Sequence, residues 1–309
     1  GAGNMNNMFI DPLKNLASYK NLLEDINNNK TPISTYGIID EGIGHMVYAL
    51  NQHTKKQILV ITYNENRAKR VYEDIKNFNE NNVELFPTRE TLFYKVDAIS
   101  SERINQRLKV LSRFIEEESI ILVISIESIL DKLMAPNLFK EHSIHINIED
   151  TINLEELTNK LISCGYERET MVEGVGQFSI RGGIIDIFSP NNRHPYRIEL
   201  FDDEVDSIRT FDLGSQRSLE NIREIFISPA KEILILSDYR NQIIDNMQTD
   251  LKRTIEKLEE GSKIRENIED KFQEILGELK EKLYISNIDM LIPYIPKEHM
   301  SNLLRDRKS

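Results

Sequence analysis

Residues 177–211, QFSIRGGIIDIFSPNNRHPYRIELFDDEVDSIRTF, constrain the fold more than any other stretch of the 309-residue chain. Apolar runs at 184–188, 196–201 and 205–211 are divided by a Ser-Pro-Asn-Asn-Arg-His-Pro loop and by the acidic turn Asp202-Asp203. Short β-branched and aromatic runs separated by turn residues specify an antiparallel meander. Side chains alternate along a strand, so Tyr196, Ile198 and Leu200 face a core while Arg197, Glu199 and Phe201 face the other way. Arg181, in phase with Gln177 and Ser179, joins this second face from the preceding strand. Arginines, a carboxylate and a large aromatic ring on one face are the residue types of protein–protein hot spots. The competing reading is an ordinary solvated face with one stray Phe. Gly182-Gly183 reads as a bulge or bend. The cluster Asp202-Asp203-Glu204 reads as a solvated turn, because adjacent carboxylates in a tight turn diverge too much to share a Mg²⁺ ion.

Upstream of the meander the pattern changes to strand–helix alternation. An amphipathic helix is expected from Phe9 to about Ile26, then strands at 33–39, 57–63, 83–87 and 120–125, with helical runs at 42–50, 64–78 and 101–113 between them. That order argues for a parallel sheet covered by helices. Residues 153–163 read as a helix capped by Asn153 and ended by Gly165. Beyond Pro229, a strand at 232–236 is expected to return the chain to the first fold. Two long amphipathic helices, 241–259 and 263–283, follow on either side of Gly261. The fold class is therefore α/β: a parallel-sheet domain covered by helices, with an inserted small α+β domain containing an antiparallel sheet. The expected division is 9–150 and 229–309 for the two parts of the larger domain, the second cut short, and 151–228 for the insert.

The turn at Gly42 to Met46 lies where a phosphate-binding loop would sit. A working loop, GxxxxGK[ST], needs a lysine for the β/γ-phosphates and a hydroxyl for Mg²⁺. With Gly44 as the glycine before the lysine, His45 takes the lysine position, Met46 the hydroxyl position, and Ile39 that of the first glycine. Gly42, Gly44, His45 and Met46 therefore form a degenerate nucleotide loop without its chemistry. His142 and His145 share an HxxH spacing, but strict alternation through residues 143–148 makes a solvated strand face the better reading than a metal site. No metal and no catalytic residue is expected.

The net charge of −12 opposes whole-surface attraction to DNA or to an anionic membrane. The single cysteine, Cys164, rules out an internal disulfide framework, fits a reducing cytoplasm and sits at a helix end. No run reaches the length of a transmembrane helix, so no membrane partner is expected. Gly1-Ala2-Gly3-Asn4 looks like a tag remnant.

RGGIIDIF, PYRIELFDDEVDSIRTFD and SQRS together resemble the N-terminal UvrB-like, UvrA-binding region of the bacterial transcription-repair coupling factors, the Mfd family. The segment FPTRETLFY, residues 86–94, resembles that family's FPARETLPY signature. More distantly, the chain resembles the repair helicase UvrB. The resemblance implies a fragment of a longer protein whose first module is a degenerate RecA/helicase-like parallel-sheet domain that has lost its nucleotide site. It implies a docking role toward UvrA, carried by Arg181, Arg197 and Phe201, with Glu199 at an acidic position used by the helicase. The arginines are then expected to fork onto partner carboxylates. It implies no cofactor in this region, with ATP and Mg belonging to a downstream motor, and it assigns RNA polymerase and DNA contacts to downstream domains. A C-terminal domain would mask the docking surface in the intact protein. Only about a dozen residues separate Tyr94 from the body of the next helix around Asn105–Phe114, which leaves no room for the DNA-clamping aromatic hairpin of the helicase. The alternative is a nucleotide-dependent UvrB-like helicase or DNA-binding module.

Overall fold

The computed structural model describes residues 8–89, 97–116, 119–281 and 288–303. The chain divides into two compact units, Gly1–Asp131 and Lys132–Ser309.

In the first unit, β1 (Ile58–Thr62), β2 (Val83–Phe86) and β3 (Ile121–Ser125) form a parallel sheet in the order β1-β3-β2. The central β3 is buried throughout, which explains its uninterrupted ILVIS sequence. The Glu65–Lys76 helix begins where the Asn64 side chain accepts the Arg67 amide at 2.8 Å. It buries Ala68, Val71 and Ile75 against Tyr48 and Ala49 of the Gly42–Thr54 helix and against Val83, Ile121 and Val123 of the sheet. The N-terminal helix is split into a 3-10 turn, Asp11–Asn15, and an α-helix, Ala17–Asn27, at Leu16, whose ψ of 124° is extended. The strand expected at 33–39 does not form: Gly37 adopts φ 80°, which breaks an extended run, and Ile33, Tyr36, Ile38 and Ile39 are exposed.

The second unit contains β4 (Leu133–Met134), β5 (Ile144–Asn147), β6 (Glu167–Arg168), β7 (Gln177–Arg181), β8 (Ile184–Ile187), β9 (Tyr196–Phe201), β10 (Glu204–Phe211), β11 (Ser218–Ile222), β12 (Glu224–Ile227) and β13 (Met300–Ser301). The meander extends to a six-stranded sheet in the order β11-β10-β9-β8-β7-β6, antiparallel except for β6 with β7. Gly182-Gly183, expected as a bulge or bend, is a two-residue hairpin turn, with Gly182 at φ 61°. The Leu154–Ser163 helix, capped by Asn153 Oδ1 on the amides of Glu155 and Glu156, covers one face of the sheet. Leu157, Leu161, Cys164 and Tyr166 pack there against Phe178, Ile185, Ile187, Ile198 and Ile208. Burial pushes the Cys164 thiol up to about 11, so the thiolate needed for reaction is scarce at neutral pH.

β5 and β12 pair with each other, and Ile146, Ile225 and Ile227 belong to this same core. Residues 232–236, expected as a strand, are irregular. Their carbonyls are taken up by side chains instead: Tyr239 donates to Leu234 O, and Arg240 Nη2 to Ile235 O at 3.1 Å. Helices Ser237–Ile255 and Lys263–Glu281 then bury Ile243, Met247, Ile275, Leu276 and Leu279 with Leu291 and Ile295.

Candidate docking surface

The register of the large sheet fixes which side chains share its outer face. Ser179, Asp186, Arg197, Arg209 and Asn221 lie opposite one another in one row across five strands. The next row holds Arg181, Ile184, Glu199 and Ser207. Both rows face away from the Ile180, Ile185, Ile198 and Ile208 row that packs in the core.

Asp186 is the centre of the face. Its side chain is only 1% exposed and takes two bonds from Arg197, Nε to Oδ1 at 2.6 Å and Nη2 to Oδ2 at 2.8 Å. A third comes from Arg181, Nη2 to Oδ2 at 2.6 Å. Arg197 also donates to Gln216 Oε1 at 3.0 Å and lays its guanidinium 4.2 Å from the centre of the Phe211 ring. The hydrogen bond and charge of Asp186 hold the Arg197 guanidinium protonated still more firmly than usual. Glu199 is closed in the same way: both its oxygens accept from Arg209, and Oε2 accepts from Ser207 Oγ at 3.1 Å. Phe201, at the end of β9, stands 80% exposed beside this lattice. Asp202, at φ 60°, turns the chain directly after it.

The sequence-derived set is therefore brought together on one face, but its chemistry differs from expectation in one respect. Arg197 does not present an open fork, because Asp186 of its own sheet fills it. Asp186, Arg209 and Gln216 were missed by sequence reasoning. The signal for Asp186 was the turn: a two-residue hairpin at Gly182-Gly183 sets Arg181 opposite Ile184 and Asp186 opposite Ser179, one diagonal from Arg181.

The second set, Gly42 to Met46, lies in the first unit and is built for helix packing. Gly44 is buried, and a Cβ there would stand 2.7 Å from Asp74 Cβ on the neighbouring helix. The His45 ring stacks on Phe78 at 5.4 Å, and its Nε2 donates to Phe9 O at 2.8 Å. Met46 packs beside the Tyr48 and Ala49 core. Gly44→Ala is accordingly expected to destabilise the first unit by about 1–3 kcal/mol through overpacking, read from the urea midpoint. Of the HxxH pair, His142 Nδ1 lies 3.0 Å from Leu138 O and His145 packs on Phe226 at 4.8 Å. Among the described residues, no group of three or more His, Cys, Asp or Glu is placed to hold a metal. Among them, too, no helix is long and apolar enough to cross a membrane. Tyr94 and the rest of 90–96 lie outside the described residues.

Residues 144–233, which include the whole six-stranded sheet and the β5–β12 pair, match the family described as UvrB interaction domain. The transcription-repair-coupling factor of Bacillus subtilis (strain 168) is 37% identical over 211 residues, 68% of this chain and 18% of that protein. That of Staphylococcus haemolyticus (strain JCSC1435) is 34% identical over 203 residues, 65% of this chain and 17% of that protein. The chain carries a UvrB interaction domain of the transcription-repair-coupling factor kind. It spans less than a fifth of the length of these curated relatives. The arginine–carboxylate lattice and Phe201 thus lie within the UvrB interaction domain, whereas Gly42 to Met46 lie outside it.

Proposed function

We propose that this chain is a non-catalytic docking module that binds UvrA, and that within a longer transcription-coupled repair factor it recruits UvrA to stalled RNA polymerase. The carrying observation is Phe201, 80% exposed at the edge of an ordered arginine–carboxylate lattice. A lone exposed Phe means little, but one framed by fixed charges has the make-up of an anchor with a polar rim. Arg181, Arg197 and Glu199 shape the frame, and Phe201 fills an apolar pocket of UvrA. Contacts to RNA polymerase and DNA, and ATP and Mg chemistry, fall to parts of the longer protein outside this chain. The alternative, a nucleotide-dependent UvrB-like helicase or DNA-binding module, is disfavoured because Gly44 and His45 are engaged in packing where a nucleotide loop needs open glycine backbone and a lysine.

Calorimetry of the chain against purified UvrA tests this. Phe201→Ala is expected to weaken binding by about 2 kcal/mol or more while folding stability stays within about 0.5 kcal/mol, as for an exposed side chain. Unchanged affinity in the variant, or no binding by the parent chain at low salt, overturns the reading.

A further inference from the structure

We propose that the cavity between the end of the Leu154–Ser163 helix and residues 231–238 is a second docking site. It takes a short extended peptide segment of a partner protein, apolar in its middle and flanked by lysine or arginine. The inference does not rest on the reading of the outer face: the helix covers the opposite face of the sheet, and the cavity and the arginine rows share no residue.

The cavity holds about 270 Å³ and belongs to the second unit. Ile162, Leu234, Leu236 and Ile288 supply apolar wall, and the unusual feature is the backbone that runs along it. Ile233, Leu234 and Ile235 are buried, yet the amides of residues 233–236 have no acceptor among the described residues. A covered N–H without an acceptor is rare and costs free energy. Four in succession along a cavity mark a place where acceptors are brought from outside. The carbonyls of the same stretch are not in deficit: Leu234 O accepts from the Tyr239 hydroxyl and Ile235 O from Arg240 Nη2. The stretch therefore presents donors and calls for acceptors.

Charge selects the kind of acceptor. Glu141 and Asp238, both exposed, line the cavity, and its Lys231 is engaged by Glu167 at 3.3 Å. His142, also on the wall, has its Nδ1 3.0 Å from Leu138 O. An anion would meet two carboxylates with the lysine already paired, whereas peptide carbonyls satisfy the same amides without bringing charge. In an extended segment every second side chain points the same way, so one set lies against the apolar wall while the backbone pairs, as in strand addition. A lysine or arginine beside the apolar stretch meets Glu141 and Asp238 at the rim. The volume, slightly below the ~300 Å³ at which small-molecule pockets begin, suits a few side chains better than a bulky cofactor.

Calorimetry of the whole chain tests this with acetyl-Lys-Val-Ile-Val-Lys-amide, its counterpart with glutamate in place of lysine, and decanoate, an apolar chain with a carboxylate. The lysine peptide is expected to bind about tenfold more tightly than the glutamate peptide at low salt, and to slow hydrogen exchange at amides within 233–236. Ser163→Trp, at an exposed position on the cavity wall, is expected to weaken binding of the lysine peptide about tenfold or more while keeping the parent's unfolding midpoint. Glu141→Lys is expected to narrow the gap between the two peptides, and it decides the matter if Ser163→Trp does not fold. No binding of the lysine peptide at millimolar concentration, or equal binding of both peptides, overturns the site. Unchanged exchange at 233–236 in the bound chain, or binding unaltered in both folded variants, overturns it as well. Decanoate bound more tightly than the lysine peptide overturns the peptide in favour of an anionic amphiphile. A dimer of the parent chain that is lost in Ser163→Trp overturns the partner protein in favour of a second copy.

Discussion

Asp186→Ala is expected to destabilise the UvrB interaction domain by about 3–5 kcal/mol, the cost of removing one member of a buried, hydrogen-bonded charge group. The carboxylate it deletes is 1% exposed and carries three bonds from two arginines. Without it, Arg197, itself mostly covered and lying on Phe211, keeps its charge and loses its counter-charge. Thermal unfolding followed by circular dichroism should fall by on the order of 10 °C, taking a few degrees per kcal/mol for a unit of this size. Arg181→Ala, which leaves the Arg197–Asp186 fork intact, is the contrasting case and should shift the midpoint little. An Asp186→Ala midpoint equal to that of the parent would mean that the lattice is ornament on a sheet held by its apolar face alone.

The second large effect lies in the first unit. Arg107, inside the Asp97–Glu116 helix, is fully buried, with Nη1 at 2.6 Å from Pro87 O and 2.9 Å from Asp131 Oδ2, and its guanidinium 4.2 Å from the Phe86 ring centre. One side chain thus ties the helix to the end of β2 and to Asp131. Arg107→Ala removes the packing of the stem and the partner of two acceptors together, and is expected to cost about 3–5 kcal/mol in urea unfolding. Arg107→Met keeps most of the volume and should recover part of that loss. Equal stability of Arg107→Ala and the parent would contradict a structural role for the buried guanidinium.

The elements legible in the sequence are those whose pattern is set by which faces are buried. β9 shows its two faces because the core takes Tyr196 and Ile198 and leaves Arg197 and Phe201 outside. β3 shows as an unbroken apolar run because it is central in a parallel sheet. What the sequence hid depends on pairing at a distance. Residues 33–39 have strand composition, but Gly37 takes a left-handed conformation, and composition does not report which conformation a glycine takes. Residues 232–236 are equally apolar, yet Tyr239 and Arg240 take carbonyls that a ladder would have used. At the outer face of the six-stranded sheet the residue types were legible and their partners were not. A strand pattern places Arg197 outward, but only the register of β8 against β9 puts Asp186 under it. That register converts an open fork into a closed one and transfers the free donors to Arg181.

Site-specific photocrosslinking tests the central claim most directly. A benzophenone amino acid is placed at Phe201 in one chain and at Ile264, another exposed apolar position, on the Lys263–Glu281 helix, in another. Each chain is then irradiated with UvrA. A crosslink to UvrA from position 201 and none from position 264 is the expected result. A crosslink from 264 with none from 201, in chains that both bind UvrA, would contradict the assignment of the arginine-framed sheet face as the docking surface.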